Sequence, residues 1–213
     1  MIDESIADPD LRQRRELLDA LALAFRDNPM NVAIHGPRPK RRIRANRAGL
    51  RALVLDTASE AIARVIRHET RIVGGFILVP PGGFPLSGPG LGRQIGCFLG
   101  QGARAMARWG SVTDSLGYFH PYKRHWYLSV FGVEPGCQGH GLGSQLLDEL
   151  DRIVCSDPCA IYLESDREAS MRFYLARGFS LHTETTVQGV RCWCLGKESS
   201  GADQDLCDSV REL

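Results

Sequence analysis

The chain has 213 residues, of which 43% are apolar and 24% are charged, and its formal net charge is +1. This length and composition suit one globular domain with a sizeable core. The near-neutral charge gives no reason to expect nucleic acid or an acidic membrane surface as a partner.

The cysteine spacing and the N-terminal sequence exclude further classes of protein. The seven cysteines are an odd number without a Cys-x-x-Cys pair. This spacing fits neither a zinc site nor a small disulfide scaffold, so we predict no metal site. We find no signal-peptide pattern at Met1 and no apolar run long enough to span a bilayer. These patterns predict a chain without a membrane segment that works in a reducing cytoplasm.

Helical periodicity dominates the first half of the chain and is interrupted by one pair of strand-like runs. Asp8-Pro9 is typical of a helix start, and Asn28-Pro29 is typical of a helix stop. The predicted elements are a helix between these two signals, a very basic helix over 38–55, a hairpin of strands over 61–67 and 71–79, a Gly/Pro-rich loop over 80–92 and a helix within 93–116.

Strands and helices alternate in the second half, which predicts a parallel strand–helix–strand unit followed by a closing hairpin around Gln188-Gly189. The polar segment 198–213 is predicted to be a flexible tail, so that a single domain covers residues 1–197. The predicted elements are a strand over 126–133, a helix over 141–156, a strand over 160–164, a helix over 168–176 and closing strands over 179–186 and 190–195.

The most informative stretch is residues 133–144, which read Val-Glu-Pro-Gly-Cys-Gln-Gly-His-Gly-Leu-Gly-Ser. They lie between a predicted strand and a predicted helix. Glycine lets the backbone adopt positive φ and lie against a ligand. The free N–H groups at a helix start point into the same space and favour an anion. The stretch therefore predicts a phosphate-binding loop.

Two common phosphate motifs do not match this loop. A Walker loop requires Gly-Lys-Ser/Thr, but here Gly143 is followed by Ser144-Gln145. A dinucleotide fingerprint requires G-x-G-x-x-G, and residues 139–143 form a pattern one residue shorter. Glu164 does lie near the distance at which that fingerprint places its acidic residue. An ordinary glycine-rich turn is the remaining alternative.

At these residues the chain resembles the GNAT superfamily of N-acetyltransferases. Residues 133–143 follow the pattern V-x-P-x-x-Q-G-x-G-x-G, which is similar to the acyl-CoA pyrophosphate loop of that family at each fixed position. Residues 173–179, Phe-Tyr-Leu-Ala-Arg-Gly-Phe, resemble its second signature. Both motifs and the elements between them cover residues 126–195. Two features depart from the family pattern: residues 1–7 are too short and polar for a good first strand, and residues 167–170 hold no Asn.

The resemblance implies an α/β fold of the α+β type, with helices around a central mixed sheet and a splayed pair of parallel strands at the cofactor site. The implied reaction is transfer of the acetyl group of acetyl-CoA, a co-substrate, to a small-molecule or peptide amine by direct attack in a ternary complex. The implied cofactor-binding residues are Phe131 and Val133 on the strand and Gln138, Gly139, His140, Gly141, Leu142, Gly143 and Ser144 in the loop.

The strand before the loop is expected to bind the pantetheine arm through unpaired backbone groups of residues 129–133. We expect a β-bulge at Gly132 to splay the parallel strands and free these groups. An N–H group near Phe131 or Val133 is the candidate that stabilises the oxyanion. His140 is expected to point to solvent. Cys137 has no paired base in the sequence, which argues against an acyl-cysteine.

Tyr174, which matches the tyrosine of the family, is the candidate general acid for the departing thiolate. Its alternative role is packing beside Phe173 and Phe179. Glu164, at the end of its strand, is the candidate base for the amine. Its alternative roles are capping the next turn or positioning the substrate. His125 begins a strand that ends eight residues later and is expected far from the thioester, and His120 has no predictable position.

The basic segment within residues 38–51 has three interpretations: a solvated helix face, a collar that attracts an anionic substrate or the CoA 3′-phosphate, and, ranked last, a nucleic-acid surface. A non-catalytic acyl-CoA-binding module is a further alternative to the enzyme. The acceptor pocket is expected between the N-terminal helices, the Gly/Pro-rich loop and the closing hairpin. The sequence specifies neither the acceptor nor the oligomeric state.

Overall fold

A computed structural model describes residues 6–55, 60–85, 91–157 and 159–198, so that residues 199–213 of the tail predicted over 198–213 lie outside the described residues. The described residues form seven α-helices, a short 3-10 helix over Pro135–Cys137 and seven strands. The helices are α1 Leu11–Ala24, α2 Pro29–His35, α3 Pro39–Leu55, α4 Leu91–Gln101, α5 Ala103–Gly117, α6 Leu142–Val154 and α7 Glu168–Leu175. The strands are β1 Ile6–Ala7, β2 Ile62–His68, β3 Arg71–Val79, β4 His125–Val133, β5 Ala160–Ser165, β6 Ser180–Val187 and β7 Val190–Lys197.

The strands form one mixed sheet with the order β1-β2-β3-β4-β5-β7-β6. Among the described strands, β4 and β5 are the only parallel neighbours, as the resemblance implied. The closing hairpin turns at Gln188 and Gly189, which have φ of 53° and 77°. Positive φ at both turn positions matches the right-handed twist of the flanking strands.

Two apolar layers cover the two faces of the sheet. Leu17 and Leu21 of α1 pack with Val65 and Ile77 on one face. On the other face, α6 buries the leucines of its apolar side against β4 and β5, together with Tyr174 and Phe179. This arrangement follows from the 3.6-residue spacing of Leu142, Leu146 and Leu150, each of which is at most 1% exposed.

The predicted bulge at Gly132 is wrong, because Gly132 pairs in register with Gly75. The register instead shifts between Ile77 and Leu78, and Ser129 is the extra residue on β4. The Ser129 hydroxyl donates to the carbonyl of Ile77 at 3.2 Å. A bulge reverses the side-chain alternation after it. Ser129 and Val130 therefore both line the cavity described below, and Phe131 packs on the opposite face with α7.

Several predicted boundaries differ from the structure near the N-terminus. The N-cap of α1 is Asp10 rather than Asp8, because Asp10 and Gln13 form a reciprocal capping box with bonds of 2.8 and 2.9 Å. Asn28-Pro29 marks the start of a helix as well as a stop, because Pro29 is the first residue of α2. The first strand exists as the two-residue β1, paired with β2.

Candidate active site

The glycine loop has the geometry of an anion site. Gly139 and Gly141 have φ of 82° and 81°, and a Cβ built at either position meets no atom within 4 Å. The first hydrogen bond of α6 runs from the Gln145 N–H to the Gly141 carbonyl at 3.1 Å. The N–H groups of residues 142–144 precede that bond and have no acceptor within the helix. These donors, and the open space above the glycines, fit the diphosphate of a coenzyme A molecule.

Two side chains hold the loop in this shape. The Gln138 amide donates from Nε2 to the carbonyl of Val133 at 2.8 Å. His140 is exposed, but its Nδ1 lies 3.0 Å from the carbonyl of Gln138, so the ring folds back on the loop and does not simply point to solvent. Neither contact involves the backbone N–H groups of residues 142–144 at the start of α6.

The parallel strands separate beside the loop. Their register ends at Tyr127 and Tyr162, although β4 continues to Val133. The Glu134 N–H donates to Val73 on the β3 side at 2.8 Å. N–H groups of successive strand residues point to opposite sides. Those of Phe131 and Val133 therefore point toward the gap beyond the last β4–β5 pair.

Tyr174 lies on the α7 side of this gap. Its ring centroid is 5.8 Å from that of Phe131, 5.5 Å from that of Phe173 and 5.4 Å from that of Phe179. Burial raises the pKa of Tyr174 above its ordinary value, which keeps the phenol protonated at neutral pH. These contacts show the predicted packing of Tyr174 beside Phe173 and Phe179.

Glu164 lies on the other side of the gap, in contact with a histidine that the sequence could not place. Its Oε1 is 2.9 Å from Nε2 of His120. Nδ1 of His120 is 3.3 Å from Nε2 of His125, whose Nδ1 is 2.8 Å from the carbonyl of Lys123. Glu164 does not cap the next turn, since Ser165 Oγ accepts the N–H of Arg167 there.

The tautomers of His125 and His120 follow from the contact between His125 and the carbonyl of Lys123. A carbonyl only accepts, so His125 carries its proton on Nδ1, and burial lowers the pKa of His125 and favours its neutral form. Nε2 of His125 then accepts a hydrogen bond from Nδ1–H of His120. The remaining contact of His120 is the one between its Nε2 and the carboxylate of Glu164.

Tyr127 completes the surroundings of Glu164. Its hydroxyl is hydrogen-bonded to that carboxylate, and burial together with the carboxylate charge raises the pKa of Tyr127 well above its ordinary value. Phe84 stacks on the ring of His120, with 3.6 Å between centroids and an interplanar angle of 4°. The position of His120 depends on these tertiary contacts, which is why no local sequence signal indicated it.

A cavity of about 510 Å³ opens beside Glu164 and His120. It lies between the sheet and helices α2 to α5, and Phe84 and Cys192 contribute to its lining. These segments include the N-terminal helices, the Gly/Pro-rich loop and the closing hairpin, where the acceptor was expected. The unpredicted helix α2 and the division of the predicted helix at Gly102 into α4 and α5 shape this cavity.

The basic segment is not a uniformly solvated helix face. Arg42 is 5% exposed and donates to the carbonyls of Arg26 and Gly36 and to Asp27. Arg47 forms an ion pair with Asp19 of α1. Part of the positive charge therefore holds α3 to neighbouring segments.

Two features are absent from the described ranges. No group of three or more His, Cys, Asp or Glu side chains there is arranged to hold a metal ion. No helix formed by those residues combines the length and the apolar character needed to cross a membrane.

Comparison with known proteins assigns the family. A model of the Acetyltransferase (GNAT) family matches residues 27–179, well over half of the chain. The chain therefore belongs to the GNAT acetyltransferase family, and both the fold and the family implied by the sequence motifs are confirmed.

Solved structures agree with this fold. A Corynebacterium glutamicum protein described as histone acetyltransferase HPA2 and related acetyltransferase is 21% identical, with a TM-score of 0.68 over 92% of this chain and 97% of that chain. A polyamine N-acetyltransferase of Drosophila melanogaster is 16% identical, with a TM-score of 0.61 over 92% and 100% of the two chains. The PaiA N-acetyltransferase of Thermoplasma acidophilum, solved with coenzyme A, is 11% identical, with a TM-score of 0.58 over 91% and 98%. At these identities the likeness shows the fold.

Proposed function

We propose that this protein is an N-acetyltransferase that moves the acetyl group of acetyl-CoA to an amine by direct attack in a ternary complex. The observation that carries the proposal is the convergence of three features at one gap in the sheet. They are the glycine loop, the separated ends of β4 and β5, and a cavity that ends at Glu164 and His120.

The residues that hold acetyl-CoA are those of the loop and of the end of β4. Backbone N–H groups of Gly139 to Ser144 bind the diphosphate, with Gln138 keeping the loop against the strand. Phe131 and Val133 present N–H groups on the open side of β4, where they bind the extended pantetheine arm or the thioester oxygen. When bound, acetyl-CoA supplies the activated acyl group.

Glu164 removes the proton of the amine. An alkylammonium has a pKa of about 10 and must lose a proton before it attacks. Glu164 accepts this proton, and its contact with His120, which is itself held by His125, keeps the carboxylate in position. His125 thus acts through His120, at a distance from the reacting atoms, as its position on β4 requires.

Tyr174 protonates the departing thiolate. Its raised pKa ensures that the proton is present at neutral pH, and its ring lies against Phe131 at the gap. The aromatic rings of Phe173 and Phe179 restrict the phenol to one position.

The test is thiol release from acetyl-CoA in the presence of a panel of primary amines, with acetylated product identified by mass spectrometry. Release that requires both the protein and an amine is the expected result. Tight binding of CoA without turnover of any amine would indicate the non-catalytic module instead. Binding to duplex DNA or RNA that weakens steeply with salt would favour the nucleic-acid alternative.

A further inference from the structure

The carboxylates that line the cavity lie together at the end of β5. Glu164 and Asp166, at the end of β5, are the only carboxylates among the described lining residues, and none of these residues is a lysine or an arginine. The cavity volume of about 510 Å³ lies within the range of about 300–1,000 Å³ usual for small-molecule sites. A ligand of this size would meet charge at one of its ends.

The carboxylate of Asp166 is hydrogen-bonded to the start of α2. Its Oδ2 accepts the N–H of Met30 at 2.7 Å and its Oδ1 accepts Nδ2 of Asn28 at 3.1 Å. The carboxylate thereby caps the N-terminus of α2 from another part of the chain. Burial raises its pKa, which the bonds from α2 partly offset. Glu164 is therefore the carboxylate that faces an incoming ammonium group.

The part of the cavity near the C-terminal end of α2 is polar but uncharged. His35 lies five residues after Met30, or about 8 Å along the helix axis. Burial, then the charges of Arg41 and Arg108, lower the pKa of His35 to about 4, so the ring is neutral at physiological pH. Trp109 Nε1 donates to its Nε2 at 3.3 Å. Its Nδ1 is buried without a partner among the described residues.

The described residues of the helical wall of the cavity are also without charge. Leu50 of α3, Met106 and Trp109 of α5, and Val112 supply apolar surface. Gln101, at the end of α4, presents a buried Oε1 that has no hydrogen-bond partner among the described residues. Together with His35 Nδ1, it offers the ligand neutral polar contacts only.

We propose that the acceptor is a primary amine with one positive charge and an uncharged, largely apolar body, and that diamines, polyamines and amino acids are excluded. A second ammonium group would lie without a counter-charge, on the side where Arg41 and Arg108 already repel a cation. An α-carboxylate would lie beside Glu164 and Asp166, and none of the lining residues that the structure describes is a cation that could pair with it. An unpaired buried charge is strongly unfavourable in both cases. This inference rests on the proposed acetyltransferase function.

Two matched pairs of amines test the inference. Hexylamine and 1,6-diaminohexane differ by one terminal ammonium group, and 2-phenylethylamine and phenylalanine differ by one carboxylate. We expect kcat/KM for the monoamine to exceed that for its partner at least about 100-fold in each pair. Equal or better use of the diamine or the amino acid would overturn the inference and leave the acetyltransferase proposal intact.

Measuring the binding of each amine tests the inference about the acceptor independently of the proposed reaction. Calorimetry of each amine against protein saturated with CoA requires no turnover, and we expect heat from 2-phenylethylamine and hexylamine but not from their partners. Absence of heat from both monoamines would overturn the inference. Binding of the monoamines without acetylation of any amine would overturn the proposed reaction and retain the pocket assignment.

A substitution that should improve the use of a diamine provides a third test. Gln101→Glu places a carboxylate at the uncharged wall with almost no change in shape, and we expect it to raise kcat/KM for 1,6-diaminohexane relative to hexylamine at least about tenfold. Gln94→Glu makes the same change at an exposed position of α4 outside the cavity and should leave the ratio unchanged. An unchanged ratio in Gln101→Glu would contradict the proposal.

Discussion

At the scale of the residue, the proposed deprotonation of the amine depends on Glu164 and its contact with His120. The carboxylate oxygen and Nε2 are 2.9 Å apart, and the chain of bonds through His125 fixes where the protons lie. Glu164→Gln preserves the shape but removes the accepting charge. We expect kcat to fall about 10²- to 10⁴-fold and the pH–rate profile to lose the limb assigned to the base, with little change in KM for acetyl-CoA.

Glu168→Gln is the matched control for that variant. Glu168 is exposed, on α7, and pairs with Arg172, so its removal should alter neither kcat nor the pH profile. If Glu164→Gln keeps the wild-type profile, the carboxylate is not the base.

Tyr174 can be tested by removal of a single oxygen. Tyr174→Phe keeps the ring among Phe131, Phe173 and Phe179 but cannot supply a proton. We predict a fall in kcat of about 10²-fold or more with KM values for both substrates nearly unchanged. Tyr118→Phe, at a side chain that is 80% exposed, controls for loss of a phenol elsewhere. A Tyr174→Phe enzyme with full kcat would exclude the assigned acid.

At the scale of the element, the turn into α6 depends on a left-handed backbone at Gly141, with φ of 81°. Alanine at this φ costs about 1–2 kcal/mol, which lowers Tm by roughly 2–8 °C in a domain of this size. The strain also displaces the helix N-terminus, so we expect Gly141→Ala to raise KM for acetyl-CoA at least about tenfold.

Gly136→Ala provides the comparison in the same segment. Gly136 does not have positive φ, and a Cβ there meets no atom within 4 Å. Thermal unfolding and KM should both stay close to wild type. Equal effects of the two substitutions would show that the left-handed turn is not what positions the loop.

The elements that the sequence predicted well are those with strong periodicity. The strand and helix around the glycine loop, α3 and the closing hairpin lie within a few residues of their predicted bounds. Helix α2 was missed because Pro29 was interpreted as a stop, although proline is equally suited to a first helical turn. Gly102, with φ of 86°, divides α4 from α5, and a lone glycine in a helical pattern does not reveal its dihedral angles.

At the scale of the molecule, the parts of the site that the sequence revealed are those carried by motifs. The loop over 133–144 and Tyr174 follow from local patterns. The partner of Glu164 does not, because His120 reaches it only through the packing of a loop against Phe84 and Tyr127. The bulge was misplaced because Ser129 bonds across to Ile77 on another strand, which no spacing along the chain encodes.

The pH dependence of the free energy of unfolding should depend on His35. Its pKa is about 4 in the folded protein and 6.5 as the ordinary value, so between these pH values the unfolded chain binds a proton that the folded chain does not. The free energy of unfolding therefore decreases as pH falls from 6.5 toward 4, by up to about 3 kcal/mol from this group. Urea unfolding at several pH values should show a shallower decrease in His35→Gln.

His182→Gln is the control for this dependence, because it removes an exposed imidazole outside the cavity. Its unfolding free energy should follow the wild-type pH dependence. The same slope in His35→Gln as in wild type would mean that His35 is not the buried neutral group inferred for the end of α2.

The central claim is that backbone N–H groups after Gln138 bind the diphosphate of coenzyme A. Isothermal calorimetry of CoA and acetyl-CoA against the folded protein tests it most directly. The account predicts saturable heat for one site, with a dissociation constant in the range of about 1 µM to 1 mM usual for enzyme substrates, and weaker binding in Gly141→Ala. No heat with either ligand, from protein shown to be folded, would contradict it.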